Sequence, residues 1–405
     1  MSRTSLTRYA FAILVASCGT SSPQADDSGV DAPVESSTPP DAAMSDAPAE
    51  GDVVTPGDAG LSAAPHGSYL VSFGEPLSGA PQTAALAVNG LDGVYVSKKW
   101  ADMEMSEGTY TFATLNTDVD LAADAGKEVS VAIGAGSVTP AWFCAQAGAC
   151  LSFIIIPDYD STQCNGVDLP IPYTTTFLTA WMNLIDQLAA DLALVPTRYA
   201  AVNVVKITGI NGETEETDLP SAPAQTHACT GGSACSAGTC TKPDDTTLWL
   251  ANGYSLGAVQ SAWTQIADHF HQKLPDKRLD YQVGTAWPDD SKPSLHTTLV
   301  AYGETNFPGF VVQSNGLNAT GGGASEVAAA ATSGFTTGYQ TAFYVYGDPQ
   351  CQMAGSIQVE AGTCPESILK DAVDVGISKQ AKFIEFYVQD INGYPSTILY
   401  AHQNL

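Results

Sequence analysis

Phe383-Ile384-Glu385-Phe386-Tyr387-Val388-Gln389-Asp390 is the segment on which the fold turns. Apolar and polar-tipped side chains alternate along it, the period-two pattern of a strand whose two faces meet different surroundings. Ile384, Phe386 and Val388 share one face; Glu385, Tyr387 and Gln389 share the other. Seven further segments rich in Val, Ile, Tyr and Phe precede it: 69–73, 93–97, 129–133, 202–208, 279–285, 310–314 and 341–346. Helical patterns lie between them, at 175–194, 256–270 and 365–375, the last with Pro365 in a first-turn position. Eight strands joined by helical crossovers make a parallel sheet, and eight is the number at which such a sheet closes as a (β/α)8 TIM barrel. An open doubly wound sheet is the alternative, but no G-x-G-x-x-G follows the first strand to support it. In a closed barrel the face carrying Ile384 packs on helices, and Glu385 points inward. A buried carboxylate needs a partner, and Lys206 on the fourth strand is the candidate.

The barrel occupies only part of the 405 residues. Arg3 and Arg8 introduce a short apolar run ending Leu14-Val15-Ala16-Ser17-Cys18. A basic start, an apolar stretch and small residues before a cut are the parts of a secretory signal, and the run is too short to span a bilayer. Residues 19–65 hold nine acids and no Lys or Arg among Ala, Ser, Pro and Gly. Such a stretch buries too little apolar surface to offset its ordering entropy and reads as a disordered acidic tether. Residues 66–405 form the barrel domain. The net charge of −28 argues against nucleic-acid partners.

Eight cysteines remain besides Cys18, an even number in an exported chain, and four disulfides are the natural reading. Cys144, Cys150 and Cys164 follow strand three; Cys229, Cys235 and Cys240 follow strand four; Cys351 and Cys364 follow strand seven. Every one falls in a strand-to-helix connection, so the barrel should carry disulfide-stapled loops on its C-terminal face, the face that bears active sites in this fold. Cys351–Cys364 is the expected pair; the other six cannot be connected from sequence. The spacing Cys229-x5-Cys235-x4-Cys240 lacks the tight pairs of a structural zinc site.

Two resemblances sharpen this reading. Cys18 after Leu-Val-Ala-Ser resembles the lipobox of bacterial lipoproteins, whose cysteine is lipidated. That implies an exported outer-membrane or cell-surface lipoprotein that touches the membrane through the Cys18 lipid alone. The stretch Trp100-Ala-Asp-Met-Glu104-Met-Ser-Glu107-Gly108-Thr-Tyr110-Thr-Phe112 resembles the segment after strand two of clan-A glycoside hydrolases. Gly126-Lys127 before strand three and Thr139-Pro140-Ala-Trp142 after it extend the likeness over residues 92–143. The resemblance implies a carbohydrate substrate, no cofactor and a proton donor on a Glu just after strand four. There the chain reads Asn211-Gly-Glu213-Thr-Glu215-Glu216, with Gly212 splitting the family's adjacent Asn-Glu pair, so the donor is Glu216 or Glu213.

Glycoside cleavage needs a second carboxylate. The family places it at the end of strand seven, where this chain offers no Glu; Asp348 and Glu385 are the candidates. Trp100, Trp142 and Trp287 stand at strand ends, where indoles can stack on sugar rings, and Asn211, Gln313, Tyr346 and Tyr387 offer polar groups for sugar hydroxyls. No G-x-S-x-G elbow, phosphate loop or H-E-x-x-H occurs, and the six histidines form no ligand cluster. The expectation is a monomeric, surface-tethered glycoside hydrolase. A non-catalytic carbohydrate-binding lipoprotein on a degenerate barrel is the alternative, and an adhesive surface protein a third.

Overall fold

A computed structural model describes residues 60–405 apart from 73, 157–162, 213–215, 236, 285–286, 290–293, 320 and 342–365. The lipobox cysteine Cys18, with Glu213, Tyr346, Asp348, Cys351 and Cys364, lies outside the described residues. Eight parallel strands close into a barrel. They are β1 (Gly67–Val71), β2 (Leu91–Lys99), β3 (Glu128–Gly134), β4 (Val202–Lys206), β5 (Arg278–Val283), β6 (Val311–Leu317), β7 (Thr336–Thr341) and β8 (Phe383–Tyr387). Each strand pairs with its sequence neighbour, and β8 returns to β1 with Tyr69 opposite Glu385. The (β/α)8 architecture expected from the strand count is what the chain forms.

Side chains alternate across the barrel wall as the period-two pattern requires. Ile384 and Phe386 join the large apolar core between sheet and helices. Three of the helices that cover the sheet begin at side-chain caps: the hydroxyl of Thr174 accepts from the Phe177 amide, Ser255 from Ala258, and Ser294 from Thr297. Helix Thr175–Ala193 turns Phe177, Trp181, Leu184, Ile185 and Leu188 inward, the face that its 3.6-residue periodicity marks. Among the described residues no helix is long and apolar enough to cross a membrane.

Strand seven departs from expectation. Aromatic density placed it at 341–346, yet it runs Thr336–Thr341. The reason is Gly338, which takes its place beside Phe383: a Cβ there would come within 2.2 Å of the Phe383 ring. A strand built as Thr-Thr-Gly-Tyr-Gln-Thr has little apolar signal of its own, so its neighbour supplies the apolar bulk. Asp348, expected near the end of this strand, lies outside the described residues.

Two antiparallel hairpins are inserted on the C-terminal face. One pairs Cys150–Ile155 with Asn165–Pro170 in the connection after β3; the other pairs Gln225–Cys229 with Gly238–Lys242 after β4. Disulfides join Cys144 to Cys150 and Cys164 to Cys240, with Cα separations of 5.1 and 6.4 Å. The second spans the two insertions, so the stapled loops expected on this face are present.

At the opposite, N-terminal end the chain arrives as a strap. Ser62 donates its amide to the Asp276 carbonyl and its hydroxyl to the Asn203 carbonyl. Its own carbonyl accepts from Arg278 Nε at 3.0 Å, and Arg278 also donates to Gly309. These partners stand at the starts of β4, β5 and β6, so residues preceding the barrel reach it from the base.

Candidate functional site at the barrel mouth

The barrel interior is polar at its centre. Tyr69, Val311 and Phe383 form an apolar cluster toward the base, and Val71, Tyr95, Ala132 and Tyr387 form another toward the mouth. Between them Lys206 Nζ donates to Glu385 Oε1 at 2.8 Å, Gln313 Oε1 at 2.9 Å and Gln282 Oε1 at 3.3 Å, and lies 3.7 Å over the Tyr95 ring. Gln313 Nε2 donates to the other oxygen of Glu385 at 2.5 Å. Glu385 is wholly buried with both oxygens engaged, in the ion pair that alternation and the need for a counter-charge made available. Gln313, expected among sugar-binding groups, is also wholly buried and spends its amide on Lys206 and Glu385. Its position on the inner face is as predicted, but it sits below the mouth.

A second carboxylate shares this core. Asp280 on β5 is fully buried, 3.9 Å from Lys206 Nζ, and neither of its oxygens has a hydrogen-bond partner. Burial raises its carboxyl to about 7, with Lys206 opposing the shift and Glu385 adding to it. Sequence reading passed over this residue, although Asp280 and Gln282 alternate inward as clearly as Glu385 and Tyr387 do. The pH consequence has a definite sign. The folded carboxyl titrates above its unfolded value near 3.8, so the native state holds the extra proton between those pH values. Its stability contribution is complete below about pH 4 and is lost as pH rises toward 7, at roughly 1 kcal/mol per pH unit. Asp280→Asn should remove that slope and raise stability at pH 8 by about 1–3 kcal/mol. Urea unfolding at pH 5 and pH 8 measures both, and an unchanged slope in the variant would refute the assignment.

Above this core, the segment after β4 folds back on itself. Ile207 continues the ladder to Asp280, Asp218 donates its amide to the Ile210 carbonyl, and Thr217 pairs in parallel with Val283 while donating to the Gln282 carbonyl. Val283 belongs to the helix-facing core, so alternation puts Glu216 on the inner side beside Gln282. Glu216 is buried there, at 3% exposure. Asn211, on the outgoing limb, is equally buried, and among the described residues neither its amide nitrogen nor its amide oxygen has a partner. The neighbouring connection comes close: Ser137 donates to the Gly212 carbonyl at 2.9 Å, and Gly136, at φ +57°, leaves 2.2 Å between a notional Cβ and that carbonyl. Only glycine fits the contact.

The mouth is completed from the other side. Gln340 Nε2 donates to the Tyr387 hydroxyl at 2.7 Å, and Gln282 Nε2 to Asn315 Oδ1 at 2.7 Å. Among the described residues the amide oxygen of Gln340 and the amide nitrogen of Asn315 are buried without partners. Asp390 follows in the first turn of helix Val388–Gly393, where desolvation by the surrounding protein raises its carboxyl to about 7, opposed by the Tyr387 backbone. Gln389, expected to point inward from a longer strand, belongs to that helix.

The tryptophans divide. Trp100 is fully buried, its Nε1 donating to Glu104 Oε2 at 2.8 Å and its ring set against Trp142, Phe143, Phe177 and Trp181 with centroids 5.2–6.1 Å apart. Glu104 also accepts from the Gly108 amide, and its carbonyl accepts from Trp142 Nε1. The segment 100–110 is thus held together by its own glutamate, and the Trp100 ring has no open face for a sugar. Trp287 is likewise buried, against His296. Trp142 is only half-buried and keeps a partly open surface.

Among the described residues no group of three or more His, Cys, Asp or Glu is placed to hold a metal ion. What the arrangement can do chemically is bind a polyhydroxylated molecule through buried amides and hydroxyls, and offer it a carboxyl from Glu216. No family model matches this chain, and no curated protein shows a significant sequence match to it. Solved structures to which the fold is similar include a psychrophilic glycoside hydrolase family 10 endo-beta-1,4-xylanase, at 11% identity over 80% of this chain and 86% of that one, with a TM-score of 0.42. Native xylanase 10B from Thermotoga maritima is similar at 10% identity over 82% and 84%, with a TM-score of 0.44. Native xylanase10C from Cellvibrio japonicus is similar at 11% identity over 84% and 71%, with a TM-score of 0.45. Values this low leave the (β/α)8 assignment to the strand order and registers of the chain itself, and that assignment is the one conclusion these neighbours accompany.

Proposed function

We propose that this protein acts on carbohydrate at the C-terminal mouth of its barrel, as a glycoside hydrolase in which Glu216 is the proton donor. The observation that carries the reading is the return of the β4 connection onto β5. It sets Glu216 on the inner face beside Gln282, on the same connection as Asn211, a buried amide with both ends unpartnered. Leaving such an amide unpaired costs roughly 1–3 kcal/mol per group, an expense that a sugar hydroxyl would offset. A buried carboxyl close to a bound acetal is placed to protonate the leaving oxygen. The resemblance of residues 92–143 to clan-A hydrolases supports the substrate class.

The second reading is a carbohydrate-binding protein without catalysis. One observation favours it: Glu385, a candidate nucleophile, is committed to Lys206 and Gln313. The other candidates, Asp348 and Glu213, lie outside the described residues. Incubating the chain with a panel of α- and β-linked oligosaccharides separates the readings. Hydrolysis predicts new reducing ends, lost by about 10²–10⁴-fold in Glu216→Gln with sugar binding retained. Binding without release in the unmodified chain would establish the second reading instead, and neither binding nor release would end the carbohydrate assignment.

The same proposal places the barrel on a surface, tethered through residues 19–65 to a lipidated Cys18. That reading rests on the lipobox resemblance at Cys18, and the described chain meets the base of the barrel at Ser62. Cys18→Ser should release the protein from the membrane fraction.

A further inference from the structure

We propose that Cys229 and Cys235 form a third disulfide, closing the tip of the second inserted hairpin; the inference is independent of what the barrel acts on. Cys229 ends one strand of that hairpin, opposite Gly238, and Cys235 lies in the loop between the strands. The loop is already fixed. Gly231 accepts from the Cys164 amide at 3.0 Å, Ala234 donates to the Cys164 carbonyl at 2.9 Å, and Gly232 packs so tightly there that a Cβ would stand 2.1 Å from that carbonyl. Cys164 is bonded to Cys240 on the facing strand, so the loop closes around a covalent post.

Within this frame the two thiols meet. Cys229 Sγ donates to the Cys235 carbonyl at 2.8 Å, with the Gly231 carbonyl at 3.2 Å, and Cys235 packs against the buried cluster of Cys164, Cys229 and Cys240. Cys229 is buried among Cys164 and Cys240, whereas Cys235 is partly exposed and open to an oxidant. Because the backbone is ordered before the bond forms, little conformational entropy remains to be lost on closing it.

The chemistry is a two-electron oxidation. Each sulfhydryl gives up its proton, the S–S bond forms, and the two electrons reduce the disulfide of a thiol oxidant, which leaves as a dithiol. Export to an oxidising compartment supplies oxidants of that class. Three cross-links would then stand in series along the face beside the mouth: within the first insertion, between the two insertions, and within the second.

The test uses the full chain produced in an oxidising compartment, denatured, blocked with N-ethylmaleimide and mapped by mass spectrometry after proteolysis. The expected result is a linked Cys229–Cys235 species lacking two hydrogens, with neither residue alkylated. Cys229→Ser should then expose one new alkylable thiol, at Cys235. Alkylation of both residues in a sample whose Cys144–Cys150 and Cys164–Cys240 bonds are intact would overturn the proposal. So would linkage of either residue to any other cysteine.

Discussion

Lys206→Met should destabilise the barrel by about 3–5 kcal/mol, the largest effect expected of any single substitution in its interior. The side chain is the cation at the centre of the barrel, bonded to Glu385, Gln313 and Gln282 and lying over Tyr95. Removing it leaves Glu385 buried and charged against Gln313 alone, with Asp280 nearby. A buried carboxylate in that position must protonate or unfold its surroundings. Pairing the substitution with Glu385→Leu should recover most of the stability, because a buried ion pair replaced whole by apolar groups is close to neutral. Equilibrium unfolding of the two single variants and the double measures the coupling. Additive losses would show that Lys206 and Glu385 do not depend on each other.

Trp100→Ala is expected to cost about 3–5 kcal/mol as well, through the cavity left among Trp142, Phe143, Phe177 and Trp181. The substitution also removes the indole donor from one oxygen of buried Glu104, whose other oxygen keeps the Gly108 amide. This experiment separates two roles that look alike in sequence. A ring that stacks on sugar would lose affinity on truncation and keep its melting temperature. A ring that packs loops together would lose stability first. Guanidinium unfolding beside a carbohydrate-binding assay distinguishes them, and a variant with unaltered stability would overturn the packing role. Trp142, half-buried with its indole nitrogen tied to the Glu104 carbonyl, is the tryptophan that retains an accessible surface for a ligand.

The comparison of Trp100 with Glu385 shows what a sequence pattern contains. Alternation in Phe383–Tyr387 fixed the direction of every side chain in that strand, since a parallel strand in a closed barrel has only an inside and an outside. Charge then implied a partner, because carboxylates are not buried alone, and Lys206 was the available cation. Both steps are local or nearly so. The same is true of the helix faces, and of placing the cysteines in strand-to-helix connections, which follows from strand order.

Roles that depend on distance between connections were not legible in this way. A tryptophan at a strand end reads the same whether its ring faces solvent or four other aromatics, and only packing decides. Strand seven was displaced because its apolar surface is borrowed from Phe383 across Gly338. The inward orientation of Glu216 comes from the bridge between Thr217 and Val283, formed by residues 66 positions apart. Short-range periodicity and chain order set the eight-strand count, the inward and outward faces, and the cysteine-bearing loops after the third and fourth strands. Tertiary structure decided that Cys164 bonds Cys240, that Glu385 and Gln313 belong to a buried ion-pair network, and that Asp280 stands without a hydrogen bond beside them. Those outcomes depend on which atoms approach within a few ångströms across the barrel, and one-dimensional patterning carries no measure of that approach.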